Sequence, residues 1–458
     1  MPRNLVCFLL ALYIAPVVAI DRSDAGLNSW LHQPQLVNLV KPSKLSEDSY
    51  DILRNRTKQQ KLNRAERSQA DLKYFWQTEN ILNDANRVNN IDDLYQHDIS
   101  LEPTSSDYLP VSKRLRYLLW LSQLYPWTPL VIEGLLKQGD YHKSIPEISL
   151  RLNILGDLDR YDRNNMQLNR EIATSLLRFQ RRHGLTPDAV IGPKTLRWLN
   201  VTPKKRSRLL ASNFLKRSSY LASLGKRFLL INIPAFEMIL VDNDEIQLKS
   251  RVIVGKPYRQ TPMLSSQISN VVLNPSWRVP RRLLWRDLLP KVREDGLYIS
   301  RRNFDVFDTK GVIIEKSPEE WQELAHGHFP YRLEQRPGEE NTLGRYKFYF
   351  ENGYSVYLHD TVDKSLFEES NRALSSGCIR VENVAGLASW MASNLVIDKK
   401  TWLDMKVERQ KTQWFALDDS LAIHVVYWTA WIDNEGNSQF RNDIYNQNST
   451  SNIALIKN

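Results

Sequence analysis

The sequence predicts a multidomain α+β protein, helical in its first half and mostly β in its second. Three observations carry that class. Apolar residues recur at helical spacing between residues 111 and 200. From Phe228 onward the period shortens to the alternation of strands. A single helical pattern returns at Val384, directly after a Gly-Cys turn. A length of 458 residues suggests two to four domains.

Residues 1–19 read as a cleavable export signal. Arg3 precedes an apolar run from Leu5 to Tyr13, and Val17 and Ala19 suit a cut after Ala19. An uncleaved N-terminal anchor is the alternative, and no other stretch is apolar enough for a membrane span. Residues 20–144 read as a helical scaffold, with a polar helix over Ser68 to Asn83. Leu115, Leu118, Leu119, Leu121 and Leu124 share a helical face that Pro126 and Pro129 interrupt.

Residues 145–203 form a compact three-helix unit. Its central helix runs Arg170 to His183, with Ile172, Leu176, Leu177 and Phe179 inward. Gly184 suits the position after the helix end, and Pro193 suits a first helical turn. The basic run 203–208 and the polar helix after it read as a linker, 204–224.

The second half reads as one domain, 225–410, with an insertion at 277–341 and an extension at 411–458 packing on it. Phe228 to Ile233, Met238 to Val241, Glu245 to Lys249 and Arg251 to Val254 are strands. Arg345 to Phe350 and Tyr354 to His359 flank Asn352-Gly353, a hairpin signal. Val384, Leu387, Ala388, Met391 and Leu395 mark the helix. The insertion opens with the basic amphipathic stretch 281–295.

The formal charge of +10 points to an anionic partner: cell-wall polymer, lipid headgroups, or nucleic acid as the weakest of the three. Solubility alone is the alternative. The sequence carries no zinc-ligand cysteine set and no RNA-binding aromatic signature.

Chemistry concentrates at Cys378. The other cysteine, Cys7, lies in the expected signal, so the mature chain would carry a lone thiol into an oxidising compartment. His359 stands upstream at a strand end, and Ser375 to Cys378 form a turn in which Gly377 frees the backbone. A thiol and a base in that setting are the parts of a Cys–His nucleophile, with the amides of Gly377 and Cys378 as oxyanion donors. A backbone carbonyl near Asp360 would fix the imidazole tautomer. A core cysteine with a satisfied histidine is the bland alternative. His326 and His328 have no third ligand nearby, so neither metal nor cofactor is expected.

The surrounding words narrow this. The segment 176–200, LLRFQRRHGLTPDAVIGPKTLRWLN, resembles the small three-helix peptidoglycan-binding domain of bacterial wall enzymes. The segments HDT (359–361) and SSGCIRVEN (375–383) resemble the active-site signature of L,D-transpeptidases, the YkuD-type catalytic fold. VIVGKPYRQTP (252–262), VVLNPSWRVP (271–280), GRYKFYF (344–350) and YWTAWID (427–433) are closest to its large YcbB-like branch of Gram-negative bacteria.

The resemblance implies Cys378 as nucleophile, His359 as general base and Gly377 as oxyanion amide. It implies Arg380 as a pocket arginine or a salt-bridging one, and Tyr357 as a lining aromatic or a packing one. Ser376 stands where smaller members carry histidine, which alters the donor pocket. The insertion resembles a cap, whose Arg278, Arg281 and Arg282 either meet stem carboxylates or form a solvated face. The implied function is a periplasmic transpeptidase linking diaminopimelate residues of peptidoglycan tetrapeptide stems, donor and acceptor, through a thioester. A carboxypeptidase on the same stems and a non-catalytic wall-binding scaffold are the alternatives. Other wall-synthesis proteins are further possible partners.

Overall fold

The computed structural model describes residues 108–221 and 223–448. The signal at 1–19, the helix over Ser68 to Asn83 and most of the scaffold region lie outside the described residues. The chain divides into two compact units, one closing at Leu224 and resuming at Trp428, the other running Gly225–Tyr427.

Among the described residues the first unit holds five helices: α1 (Tyr108–Leu124), α2 (Ile145–Leu155), α3 (Arg170–Arg182), α4 (Pro193–Leu199) and α5 (Pro203–Leu221). Leu115, Leu118 and Leu121 of α1 are buried as the helical face requires, while Leu124 at its end is exposed. Asn169 caps α3 by accepting the Ile172 amide at 3.0 Å. At the other end Gly184, at φ +62, closes a Schellman motif. Its amide donates to the Arg181 carbonyl at 3.1 Å, and the Leu185 amide donates to Gln180 at 2.9 Å.

Two sequence expectations change here. Residues 204–224 are not a linker: α5 buries Leu210, Ala211 and Phe214 in the unit's core. Its charged residues hid an amphipathic face. Nor does the whole of 411–458 pack on the β-rich unit. Residues beyond Trp428 return to the helical unit, where β13 (Ala430–Ile432) and β14 (Ser438–Phe440) form a hairpin. Ala430, Ile432 and Phe440 join the same core as Ile172 and Phe179.

That core encloses Arg206 and His183, both fully buried. The Phe179 carbonyl accepts His183 Nδ1–H at 2.6 Å, and His183 Nε2 accepts from Arg206 Nη1 at 2.7 Å. Arg206 also donates to the carbonyls of Trp198 (2.5 Å) and Val201 (3.2 Å). The Phe440 ring lies 5.2 Å from the guanidinium.

The second unit is built on β1 (Arg227–Asn232), β2 (Glu237–Asp242), β3 (Glu245–Gly255), β4 (Leu264–Leu273), β8 (Tyr346–Phe350), β9 (Leu358–His359), β10 (Ala373–Ser375), β11 (Ile379–Val381) and β12 (Gln413–Val426). Their order is β10-β3-β11-β9-β8-β4-β12-β1-β2. The long β3 also pairs with β2, so the sheet closes on itself. Within the expected extension, β12 lies between β4 and β1, an integral strand rather than a packed appendage. The helix Val384–Asn394 follows β11, capped by the Asn383 side chain, and buries Val384, Leu387, Ala388 and Met391.

The insertion between β4 and β8 has a sheet of its own. Strands β5 (Trp277–Arg278), β6 (Phe304–Phe307) and β7 (Arg332–Gln335) run in the order β5-β7-β6. Leu284, Leu288, Val292, Trp321 and Phe329 fill a separate core. Its first helical stretch contains a π-helical turn, Leu284–Leu288. Arg278, Arg281 and Arg282 are all exposed, the solvated face.

Candidate active site

Cys378 immediately precedes β11, and His359 ends β9. The two strands run parallel, with Ile379 opposite Leu358 and Arg380 opposite His359. Cys378 thus stands just before β11, level with Tyr357, and His359 lies two residues further along the neighbouring strand. His359 is buried, and the Asp360 carbonyl accepts its Nδ1–H at 2.5 Å. Among the described residues nothing hydrogen-bonds Nε2, which leaves its lone pair able to take a proton. The carboxylate of Asp360 is anchored in turn by the amides of Arg345 (2.9 Å) and Thr361 (2.7 Å) and by Lys364.

Strands β8 and β9 pair through Lys347–His359 and Phe348–Leu358, so the connection spans 351–357 rather than a two-residue turn. The Asn352 side chain opens it. Its Nδ2 donates to Phe350 and Val356 carbonyls at 3.0 and 2.8 Å, while its Oδ1 accepts from the amides of Tyr354 and Val356. The wider loop brings the Ser355 carbonyl to 4.0 Å from the Cys378 sulfur and delivers Tyr357 to the thiol. The Tyr357 side chain lies beside Cys378 and Trp277, near enough for each to act on its hydroxyl. Its ring lies 5.6 Å from that of His359. Sequence reasoning gave Tyr357 a lining or packing role and did not place it beside the thiol, because that depends on the shape of the loop.

The turn itself corrects one expectation. Gly377 adopts φ +119, which favours glycine, but its amide donates to Ser375 Oγ at 3.1 Å. Gly377 therefore shapes the turn and is not placed as an oxyanion donor. Ser375 Oγ donates onward to the Cys378 carbonyl at 2.6 Å. Among the described residues the Cys378 amide remains available, and the Tyr357 side chain stands beside the sulfur. Ser376 is exposed, its Oγ accepting from Arg259 at 2.6 Å.

Two cations flank the thiol. Arg380 reaches only a long 3.9 Å ion pair with Asp363, and its Nε is buried without a partner. The Lys347 ammonium sits 4.3 Å from the Tyr357 ring centroid. Lys347 escaped sequence reasoning, although a lysine among the aromatics of β8 was its signal.

Burial pushes the Cys378 thiol up, opposed by the bonds from Tyr357 and by the charges of Lys347 and Arg380. Burial first, then Arg380, lowers His359 to about 3. Burial likewise raises Tyr357, as does the charge of Cys378. At neutral pH the site therefore rests as thiol and neutral imidazole, with Tyr357 protonated and able to donate. His326 and His328 lie in the insertion. Among the described residues no group of three or more His, Cys, Asp or Glu is placed to hold a metal.

A half-buried thiol, a buried histidine on the adjoining strand and a neighbouring tyrosine hydroxyl make a candidate site for cysteine-centred acyl transfer. Residues 226–403 match the family model of the L,D-transpeptidase catalytic domain, YkuD. This part of the chain is mostly β and is similar to YkuD-type catalytic domains, and the described residues before it are largely helical. A putative L,D-transpeptidase of Haemophilus influenzae is 37% identical over 230 residues, 49% of this chain and 45% of that protein. The match thus spans less than half of the relative's length. The L,D-transpeptidase structure from Stackebrandtia nassauensis is 13% identical, covers 65% of this chain and 97% of its own, and superposes at a TM-score of 0.25. That from Mycobacterium smegmatis is 14% identical, covers 44% and 58%, and superposes at 0.22.

Proposed function

We propose that the protein is a periplasmic peptidoglycan L,D-transpeptidase that uses Cys378 as its nucleophile. The observation that carries the reading is the His359 ring, tied at Nδ1 and free at Nε2, on the strand beside the thiol. Cys378 Sγ attacks the carbonyl carbon of the third residue of a tetrapeptide stem, diaminopimelate, while His359 Nε2 takes the thiol proton. The Cys378 amide and the Tyr357 hydroxyl hold the oxyanion. Collapse breaks the peptide bond, His359 returns its proton to the leaving amine, and D-alanine departs, leaving a thioester. The amine of a second stem attacks the thioester, His359 takes a proton from it, and the thiolate leaves and is reprotonated. The product is a cross-link between diaminopimelate residues.

The His359–Cys378 pair is preset for this path. With imidazole held neutral by burial and by Arg380, the base is unprotonated through the physiological range. Arg380 and Lys347 stand ready for substrate carboxylates. The 145–203 helices would bind wall polymer, and the insertion would cap the site and exclude water. Among the described residues no helix is long and apolar enough to cross a membrane.

Incubation with purified disaccharide-tetrapeptide and analysis of the products tests the function. Dimers joined without D-alanine are expected. Shortened monomers alone would reassign the enzyme as an L,D-carboxypeptidase, and no product would remove the catalytic reading.

A further inference from the structure

The loop 256–261, which connects β3 to β4, grips the nucleophile turn residue by residue. The Lys256 amide donates to the Ser375 carbonyl at 3.0 Å. Arg259 Nη1 donates to Ser376 Oγ at 2.6 Å. Thr261 Oγ1 donates to the Gly377 carbonyl at 2.8 Å and accepts the Gly255 amide at 2.8 Å. Three successive residues before Cys378 are thus bound to one loop. The loop is tightly folded: a Cβ on Gly255 would lie 2.0 Å from the Arg259 carbonyl oxygen.

The same guanidinium faces the other way into the insertion. Arg259 Nη1 and Nη2 form a two-pronged bond with Asp287 at 2.7 and 2.9 Å. Asp287 belongs to the π-helical turn Leu284–Leu288, a form of helix that is frequent at functional sites. The Arg259 side chain is only 11% exposed, so water competes weakly for the bond. The pairing lowers the Asp287 carboxyl and raises Arg259, so both stay charged at neutral pH.

We infer that Arg259 is a positioning residue that ties the placement of the 277–341 insertion to the turn carrying Cys378. When Asp287 holds the guanidinium, its Nη1 is fixed over Ser376 and the turn is held in register with β11. When the insertion moves and Asp287 leaves, the turn loses one of its three anchors. A lysine cannot replace this arginine, because one ammonium cannot hold both carboxylate oxygens and a hydroxyl in the same fork. The inference deepens the proposed function, on which it rests for its substrate. In a transpeptidase the tie would make the thiol most reactive when the insertion covers it.

Alkylation of Cys378 by iodoacetamide at pH 7.5 tests the tie without any wall substrate, in the full chain. Asp287→Asn, which touches no part of the turn, is expected to slow alkylation by roughly threefold or more, as coupled contacts do. Adding Ser376→Ala should slow it no further, and in an Arg259→Lys background neither substitution should have an effect. Wild-type alkylation in Asp287→Asn, or effects that multiply in the double variant, would overturn the inference. Loss of stability alone would lower Tm yet leave the two rate effects multiplying. If Asp287→Asn fails to fold, Arg259→Lys serves: a threefold slowing is expected, and an unchanged rate overturns the tie. Carbapenem acylation of the wild type is run alongside. Its absence would sink the transpeptidase reading while leaving the alkylation result to decide the tie.

Discussion

Each unit of the molecule buries a histidine beside an arginine, and the two sites differ by one nitrogen. In the helical unit, His183 uses both ring atoms, Nδ1 toward Phe179 and Nε2 from Arg206. In the β-rich unit, His359 uses only Nδ1, and the nearby Arg380 makes no bond to the ring. Burial lowers the pKa of both rings, and neighbouring arginines lower it further. Depressed basicity therefore does not distinguish a structural histidine from a catalytic one. The free Nε2 does, together with the thiol on the next strand.

Breaking each histidine separates the two roles. His359→Gln keeps a polar group of similar reach but removes the base. Turnover should fall by about 10³-fold, within the range for a general base, with the fold retained by circular dichroism. Tyr357→Phe removes one donor to the developing oxyanion. A loss of about 10²-fold in acylation rate is expected, measured by stopped flow. A loss below twofold would return Tyr357 to a packing role.

His183→Ala should act on stability instead. It strands the buried Arg206 without one of its acceptors, at a cost of about 2 kcal/mol in chemical denaturation, while Cys378 alkylation stays at the wild-type rate. A change in alkylation would erase the contrast between the sites.

The smallest effect is in the pH dependence of stability. The folded pKa of His359, about 3, lies below the unfolded value near 6.5. Between those limits the unfolded chain binds more protons. His359 thus contributes stability that is full above pH 6.5 and is lost as pH falls toward 3. Relative to wild type, His359→Gln should flatten the slope in that window, by at most about 1.4 kcal/mol per pH unit. An unchanged slope would mean that the ring is not held neutral.

The sequence revealed Cys378 and His359 because both sit in short, regular settings, a strand end and a glycine turn. The α3 boundaries and the Val384–Asn394 helix were legible for the same reason: periodicity and caps are local. Other features depended on distance or on side-chain bonds. The Asn352-Gly353 signal suggested a tight turn, but the Asn352 side chain holds a wide loop open and thereby places Tyr357. The Gly377 amide looked available until Ser375 Oγ claimed it. Residues 204–224 looked like a linker because the stretch opens on the basic run 203–208, yet Arg206 of that run is enclosed by aromatic rings. The 411–458 segment read as one extension. It instead splits between an inner strand of the β-rich unit and a hairpin of the helical unit, and no local pattern marks that split. Arg259 and Asp287 stand 28 residues apart in sequence, each an ordinary charge until folding joins them.

The central claim is that Cys378 becomes acylated with His359 as its base. Intact-mass spectrometry after incubation with a carbapenem tests it most directly. The wild type should gain one adduct mapped to Cys378, His359→Gln should gain it far more slowly, and Cys378→Ala should gain none. An unmodified wild type, or an adduct that persists in Cys378→Ala, would contradict the account.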